Sequence, residues 1–579
     1  MQRHDRHAGS RSPRPASRSR QGSSYSEQAI FGEGRAKAII LVFLALSLVF
    51  AVRLVQLTVV DAGKNADAAA DSRTVSITLA PKRGTIYDRN GNVLATSVDA
   101  KTVYCNPRDV TDADWEAEQI ASALGGKASD YKKLLTQDTT FVYLEKQVEM
   151  ERAEKLQDLN LDGIYFLDDS KRVYPYGEVG GQVIGLIDVD GNGLTGLELY
   201  YDDILSGEPG KLTAQYYGDD GATIPGSVTE DEPAVDGEDI VISLDIGMQQ
   251  YLEERLVLTA EELEGKGGNS LIYDGGTGEI YACASLPYLD PSDREHIKEG
   301  STELRSITTA FEPGSIFKTV TFTAIMEAGL FSPDDTLFCP AYLPADEYFV
   351  SDAHDRGDET MTIRQILDQS SNVGTSLAAS ELGFTELYEK ILAYNLNEPT
   401  GVDYPGDAGG FLSEVSEWST IQAYNVSFGQ GISVTPMQIA RFYGALVNDG
   451  VECTPHFLMK RLNSDEQPEW KTEQVIENKE AIATVTDMLT TVVEDGTGKD
   501  AAIEGYTVAG KTGTAEYASE SGGYVEGNYN ISFVGFLPNS NSQLVCFVGA
   551  TEVPGDRLTT AAFSDIMSFA TERYRIVAE

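Results

Sequence analysis

Ser315 and Lys318 stand three positions apart in "FEPGSIFKT" (residues 311–319), directly after a Pro-Gly break. A helix that starts at this serine brings positions i and i+3 to one face, with Cβ atoms about 5–6 Å apart, so the amine reaches the hydroxyl. A serine hydroxyl attacks only when a neighbouring base takes its proton. A lysine is such a base only when burial or another cation lowers its pKa. The pair therefore predicts an activated nucleophile at a helix start, where the dipole favours the negative charge that develops there. Spacing alone does not select for chemistry: "SDYK" (129–132) repeats it among polar residues and reads as solvated surface.

Two further stretches supply what the pair lacks. "LDQSSNVGTS" (367–376) sets Ser370 and Asn372 one residue apart, a hydroxyl that can relay a proton and an amide that both donates and accepts. "VAGKTGTAEY" (508–517) offers Lys511, Thr512, Gly513 and Thr514 on a small-residue strand, where glycine lets a substrate backbone come close. The three motifs, Ser-x-x-Lys, Ser-x-Asn and Lys-Thr-Gly, follow in that order on a helix start, a loop and a strand. That combination has little chance of accident.

The elements that must position these residues begin near residue 236. "DIVISLD" (239–245) reads as a strand, "IGMQQYLEERLVLTAEELEG" (246–265) as a long amphipathic helix, and "NSLIYDGGTGEIYACAS" (269–285) as a hairpin turning at Gly275, Gly276 and Gly278. They predict an antiparallel sheet with helices packed against it. Residues 61 to 235 mix strand-like runs such as "TVSITL" with helical ones such as "DADWEAEQIASAL", an elongated α+β region. Within it "RGTIYDRNGNVLATS" (83–97) carries an Asn-Gly hairpin signal. "GLTGLELYYDDILSGEPG" (193–210) is a glycine-broken entry into a helix bearing Glu198. Both read as structural, with no cluster of titratable groups.

The 579 residues carry a net charge of −47, which argues against nucleic acid as a partner because phosphate binding needs basic patches. The exception is residues 1–37, with eight Lys or Arg against three acids, an Arg/Ser/Pro-rich tail that reads as disordered. "AIILVFLALSLVFAVRLVQLTVV" (38–60) follows, and at about 1.5 Å per residue its helix reaches about 35 Å, enough to cross a bilayer. The positive-inside rule puts the tail in the cytoplasm and everything after residue 60 outside. A signal peptide cleaved at the small residues Ala66–Ala70 is the rival reading, disfavoured by the length of the apolar run. The five cysteines and five histidines show no metal-ligand spacing and no disulfide framework, so neither a metal nor another cofactor is expected.

These motifs together resemble the signature of the penicillin-recognising serine acyltransferases, and the chain is similar to the class B penicillin-binding proteins. "RGTIYDRNGNVLA" and "GLTGLELYYDDILSGEPG" resemble that class's pedestal motifs. "VSFGQGISVTPMQIA" (426–440), "DGTGK" (495–499) and "ISFVGFLP" (531–538) resemble its catalytic domain. The resemblance implies an α+β transpeptidase domain of the serine β-lactamase-like kind (236–579) on a pedestal (61–235), behind one transmembrane helix (38–60). It implies a D,D-transpeptidase that cross-links peptidoglycan stem peptides and is acylated by β-lactam antibiotics. Ser315 would attack the D-alanyl-D-alanine carbonyl, Lys318 would take its proton and Ser370 would pass it to the leaving group. Asn372 would hold the substrate amide. Lys511, Thr512, Gly513 and Thr514 would bind the terminal carboxylate, and the N–H groups of Ser315 and Thr514 would form the oxyanion hole. With no glycosyltransferase domain between membrane and pedestal, a polytopic membrane glycosyltransferase is the expected partner. A β-lactamase, a β-lactam sensor and a non-catalytic wall-binding scaffold are the alternatives. The Ser-Ser-Asn form of the middle motif and the long pedestal weigh against a lactamase, the lack of a recognisable membrane protease segment against a sensor, and the presence of Ser315, Lys318 and Lys511 against a scaffold.

Overall fold

The computed structural model describes residues 33–60, 74–217, 222–223, 229–518, 524–555 and 557–578. The tail before residue 33 and the Ala66–Ala70 cleavage candidate lie outside the described residues. The chain divides into two compact units, residues 1–76 with 213–229, and residues 77–212 with 230–579. In the first, a helix runs over Glu33–Val55, and Lys37–Thr58 is long and apolar enough to cross a membrane.

The second unit is built around a five-stranded antiparallel sheet. Its strands are β1 (Gly267–Asp274), β2 (Ile280–Ser285), β3 (Ala509–Ala518), β4 (Tyr524–Phe536) and β5 (Leu544–Pro554), in the spatial order β2-β1-β5-β4-β3. Side chains alternate between two cores, as a period of two requires. Ile272, Phe533, Cys546 and Val548 enter one core with helices α1 (Ile246–Glu262) and α2 (Thr560–Tyr574). Leu271, Tyr273, Val534, Val545 and Phe547 enter the other. That second core encloses the helix Lys318–Glu327, of which every residue except Glu327 is buried. It is buried nearly all round, and its three threonine hydroxyls are satisfied inside the core, by Tyr443 Oη, the Ser427 carbonyl and the Thr319 carbonyl. Strand β3 lies at the sheet edge, so among the described residues one side of its backbone has no neighbouring strand.

A six-stranded sheet includes Ile86–Tyr87, Val93–Cys105, Val142–Glu149 and Ile164–Val173. The Asn-Gly hairpin forms as expected, with Ile86–Tyr87 antiparallel to Val93–Cys105. Ile240–Ile242 pairs with both Ile86–Tyr87 and Leu458–Arg461, so the later part of the chain contributes two strands to this sheet.

One expectation fails here. Glu198 is not an isolated structural residue but the centre of a buried charge cluster. Its carboxylate accepts from Arg83 Nε at 2.5 Å and Arg172 Nε at 2.7 Å, and Arg83 Nη1 also reaches Asp202 at 2.6 Å. The four residues come from positions 83, 172, 198 and 202, so no local spacing announces them. The fold assembles them across long separations, and the cluster joins the two pedestal motifs.

Candidate active site

Ser315 sits in a 3-10 turn, Gly314–Phe317, that feeds directly into the helix Lys318–Glu327. Gly314 has φ +55, and a Cβ there would lie 2.6 Å from the carbonyl oxygen of Thr514. Gly513 is equally confined: its Cβ would meet Ser532 Oγ at 2.4 Å and the Pro313 carbonyl at 3.1 Å. Glycine at both positions is what lets the Ser315 turn close on the edge strand β3.

Lys318 is fully buried. Its Nζ donates to the Ser370 carbonyl at 2.5 Å and to Asn372 Oδ1 at 2.7 Å, and lies 3.1 Å from Ser370 Oγ. Lys511, also fully buried, places Nζ 3.0 Å from the same hydroxyl, and donates to the Thr512 carbonyl at 3.2 Å. Ser370 Oγ thus stands between two lysine nitrogens. Burial is the main force that drives the Lys318 pKa well below that of a free lysine, the Lys511 charge adds to it, and Asp352 opposes both. Burial likewise pulls Lys511 down to about 7, with Asp368 opposing. A neutral Lys318 can accept the Ser370 hydroxyl proton while Lys511 donates to the same oxygen, an arrangement able to pass a proton.

Ser370 was expected on a loop together with Asn372, and the structure refines that. Ser370 ends the helix Ile363–Asp368 in the left-handed region, φ +56, where glycine is the usual occupant. Asn372 opens the next helix, Asn372–Leu382, capped by Ser371. The strained turn aims the Ser370 carbonyl and hydroxyl at one amine.

Thr512 Oγ1 is 2.8 Å from Thr497 Oγ1, which ties "DGTGK" to the strand. Thr514 is exposed on β3. Glu312 accepts the Gly431 N–H at 2.8 Å. Two residues of the site escaped the sequence reading. Thr497 had a motif to mark it. Asp352 had none, being one acid in an acid-rich loop, yet it accepts from Ser371 Oγ and the Val373 N–H.

A scan against family models matches the penicillin-binding protein transpeptidase domain over residues 268–568 and the penicillin-binding protein dimerisation domain over 78–242. The chain belongs to the class B penicillin-binding proteins. It is 31% identical to penicillin-binding protein PbpB of Mycolicibacterium smegmatis, covering 93% of this chain and 90% of that one. It is 30% identical to the Pseudomonas aeruginosa protein that bears the name "Probable peptidoglycan D,D-transpeptidase PbpC", with 92% and 93% covered. Among solved structures it resembles penicillin-binding protein 3 of Mycobacterium tuberculosis in complex with aztreonam, at 26% identity and a TM-score of 0.68, over 87% of this chain and 98% of that one.

Proposed function

We propose that this peptidoglycan D,D-transpeptidase works through a serine acyl-enzyme at Ser315. Lys318 Nζ takes the hydroxyl proton as Ser315 Oγ attacks the carbonyl of the D-alanyl-D-alanine bond in a pentapeptide stem. The N–H groups of Ser315 and Thr514 hold the oxyanion. Collapse of the tetrahedral intermediate breaks the C–N bond, and the proton returns through Ser370 Oγ to the leaving D-alanine. An amine of a neighbouring stem then attacks the ester, which closes the cross-link and frees Ser315. Asn372 holds the substrate amide. Lys511, Thr512, Gly513 and Thr514 receive the terminal carboxylate, whose charge keeps Lys511 protonated in the complex. A β-lactam enters by the same first step.

The observation that carries this reading is Ser370 Oγ held 3.1 and 3.0 Å from the nitrogens of two fully buried lysines. Buried lysines without carboxylate partners in contact are costly, and catalysis is the usual reason to keep them. The reading divides the chain into a tail (1–37), a membrane helix (38–60), a pedestal (61–235) and a catalytic domain (236–579). The tail is cytoplasmic, the pedestal and catalytic domain are extracytoplasmic, and a polytopic membrane glycosyltransferase supplies the glycan. Labelled penicillin should acylate wild-type protein and leave Ser315→Ala unlabelled. Persistent label on that variant removes Ser315 as nucleophile. A reporter fused after residue 37 should behave as cytoplasmic.

A further inference from the structure

We propose that Asp352 is a positioning residue for the acylation step: its carboxylate fixes the turn that carries Ser370 and Asn372 and balances the charge around Lys318. This rests on the reading of Lys318 as the general base.

Asp352 lies on the loop after the hairpin Leu343–Ala345/Tyr348–Val350, between the first and second motifs in sequence, and its side chain is 11% exposed. Its two oxygens accept from Ser371 Oγ at 3.0 and 2.9 Å, and one accepts the Val373 N–H at 3.0 Å. The preceding residue joins in, because Asn372 Nδ2 donates to the Ser351 carbonyl at 3.1 Å. The loop therefore grips Ser371, Asn372 and Val373 in succession. Ser370 is the adjoining residue, and its left-handed conformation is one that non-glycine residues hold only when their surroundings impose it. The grip leaves Asn372 Oδ1 facing Lys318 and the Ser370 carbonyl within hydrogen-bonding distance of the same amine.

The second contribution is electrostatic. Lys318 feels Lys511 from β3 and Asp352 from the loop, and it is buried on all sides. Asp352 is itself held by Arg356 Nε at 2.5 Å. Burial works against the Asp352 charge, but the bonds from Val373, Arg356 and Ser371 outweigh it and keep the carboxyl below its usual range. These bonds favour the ionised form of Asp352 beside Lys318. Removing Asp352 takes away the charge that opposes burial and Lys511 in stripping the proton from Lys318.

The test measures the second-order rate of acylation by a labelled penicillin across pH, on full-length protein in membranes. Asp352→Asn should lower the plateau rate about 10- to 100-fold, the loss expected when a catalytic group is misplaced without being removed. Its acid limb should also move about one pH unit downward, because a neighbouring anion no longer favours the ammonium. Ser371→Ala should lower the rate with the limb in place. Arg356→Gln leaves the carboxylate bonds to Ser371 and Val373 intact but unmasks its charge, so its limb should move upward, and it serves also if Asp352→Asn fails to fold. Unmoved limbs in both Asp352→Asn and Arg356→Gln overturn the proposal, as does a wild-type rate in Asp352→Asn. Label on Ser315→Ala, or none on wild type, would instead sink the acyl-enzyme reading itself.

Discussion

Replacing Lys318 with methionine tests the base most directly, because it keeps the length and apolar stem and removes only the amine. The loss in rate follows from the role. A positioned base contributes about 10²- to 10⁴-fold, which is about 3–5 kcal/mol of barrier at about 1.4 kcal/mol per tenfold. The effect on stability is smaller and of mixed sign. Ser370 O and Asn372 Oδ1 each lose a donor, at about 1–3 kcal/mol for a buried polar group left unpaired, while the cost of burying an amine disappears. Lys318→Met should therefore melt near wild type and acylate at least about 100-fold more slowly. The wild-type rate should rise with pH through a value below that of a free lysine, since burial and Lys511 lower the Lys318 pKa and the neutral amine is the active form. Lys318→Arg should fail as well, because a guanidinium does not deprotonate at neutral pH. Time courses of penicillin labelling from pH 6 to 10 would decide it. A Lys318→Met rate within tenfold of wild type would refute the assignment.

Three other perturbations probe the frame around the site. Glu198→Ala leaves the guanidinium groups of Arg83 and Arg172 buried without their shared carboxylate, and should cost about 3–5 kcal/mol, read as a lowered melting temperature. Gly314→Ala puts a methyl 2.6 Å from the Thr514 carbonyl at φ +55, so it should push the nucleophile turn off β3 and suppress acylation by more than it lowers the melting temperature. Lys511 is pulled down to about 7 in the folded protein against 10.5 in the free side chain. The unfolded chain binds the extra proton between those values, so this residue makes stability rise with pH from about 7 to 10.5. Lys511→Met should flatten that rise relative to wild type, and an unchanged slope would mean the lysine keeps its proton in the fold.

How much of this was legible in the sequence depended on whether the partners are close along the chain. Local signals carried through: the Asn-Gly hairpin, the helix over Ile246–Glu262 and the β1–β2 hairpin all form where period and turn residues put them. Ser315 and Lys318 were visible for the same reason, being one turn apart. The identical spacing at Ser129 and Lys132 shows what the pattern omits, because Lys132 is 48% exposed and pairs with Asp114, whereas Lys318 has no exposure at all. Burial is what separates a solvated lysine from a base, and burial is a property of the assembled fold. The Arg83–Arg172–Glu198–Asp202 cluster and the Asp352 loop were hidden on the same ground, since each is made of charged residues that look like ordinary surface until distant segments enclose them. In a chain of net charge −47 another aspartate conveys nothing by its type. The three motifs were readable because each is short and contiguous along the chain, while the residues that hold them in place are brought to them only by the fold.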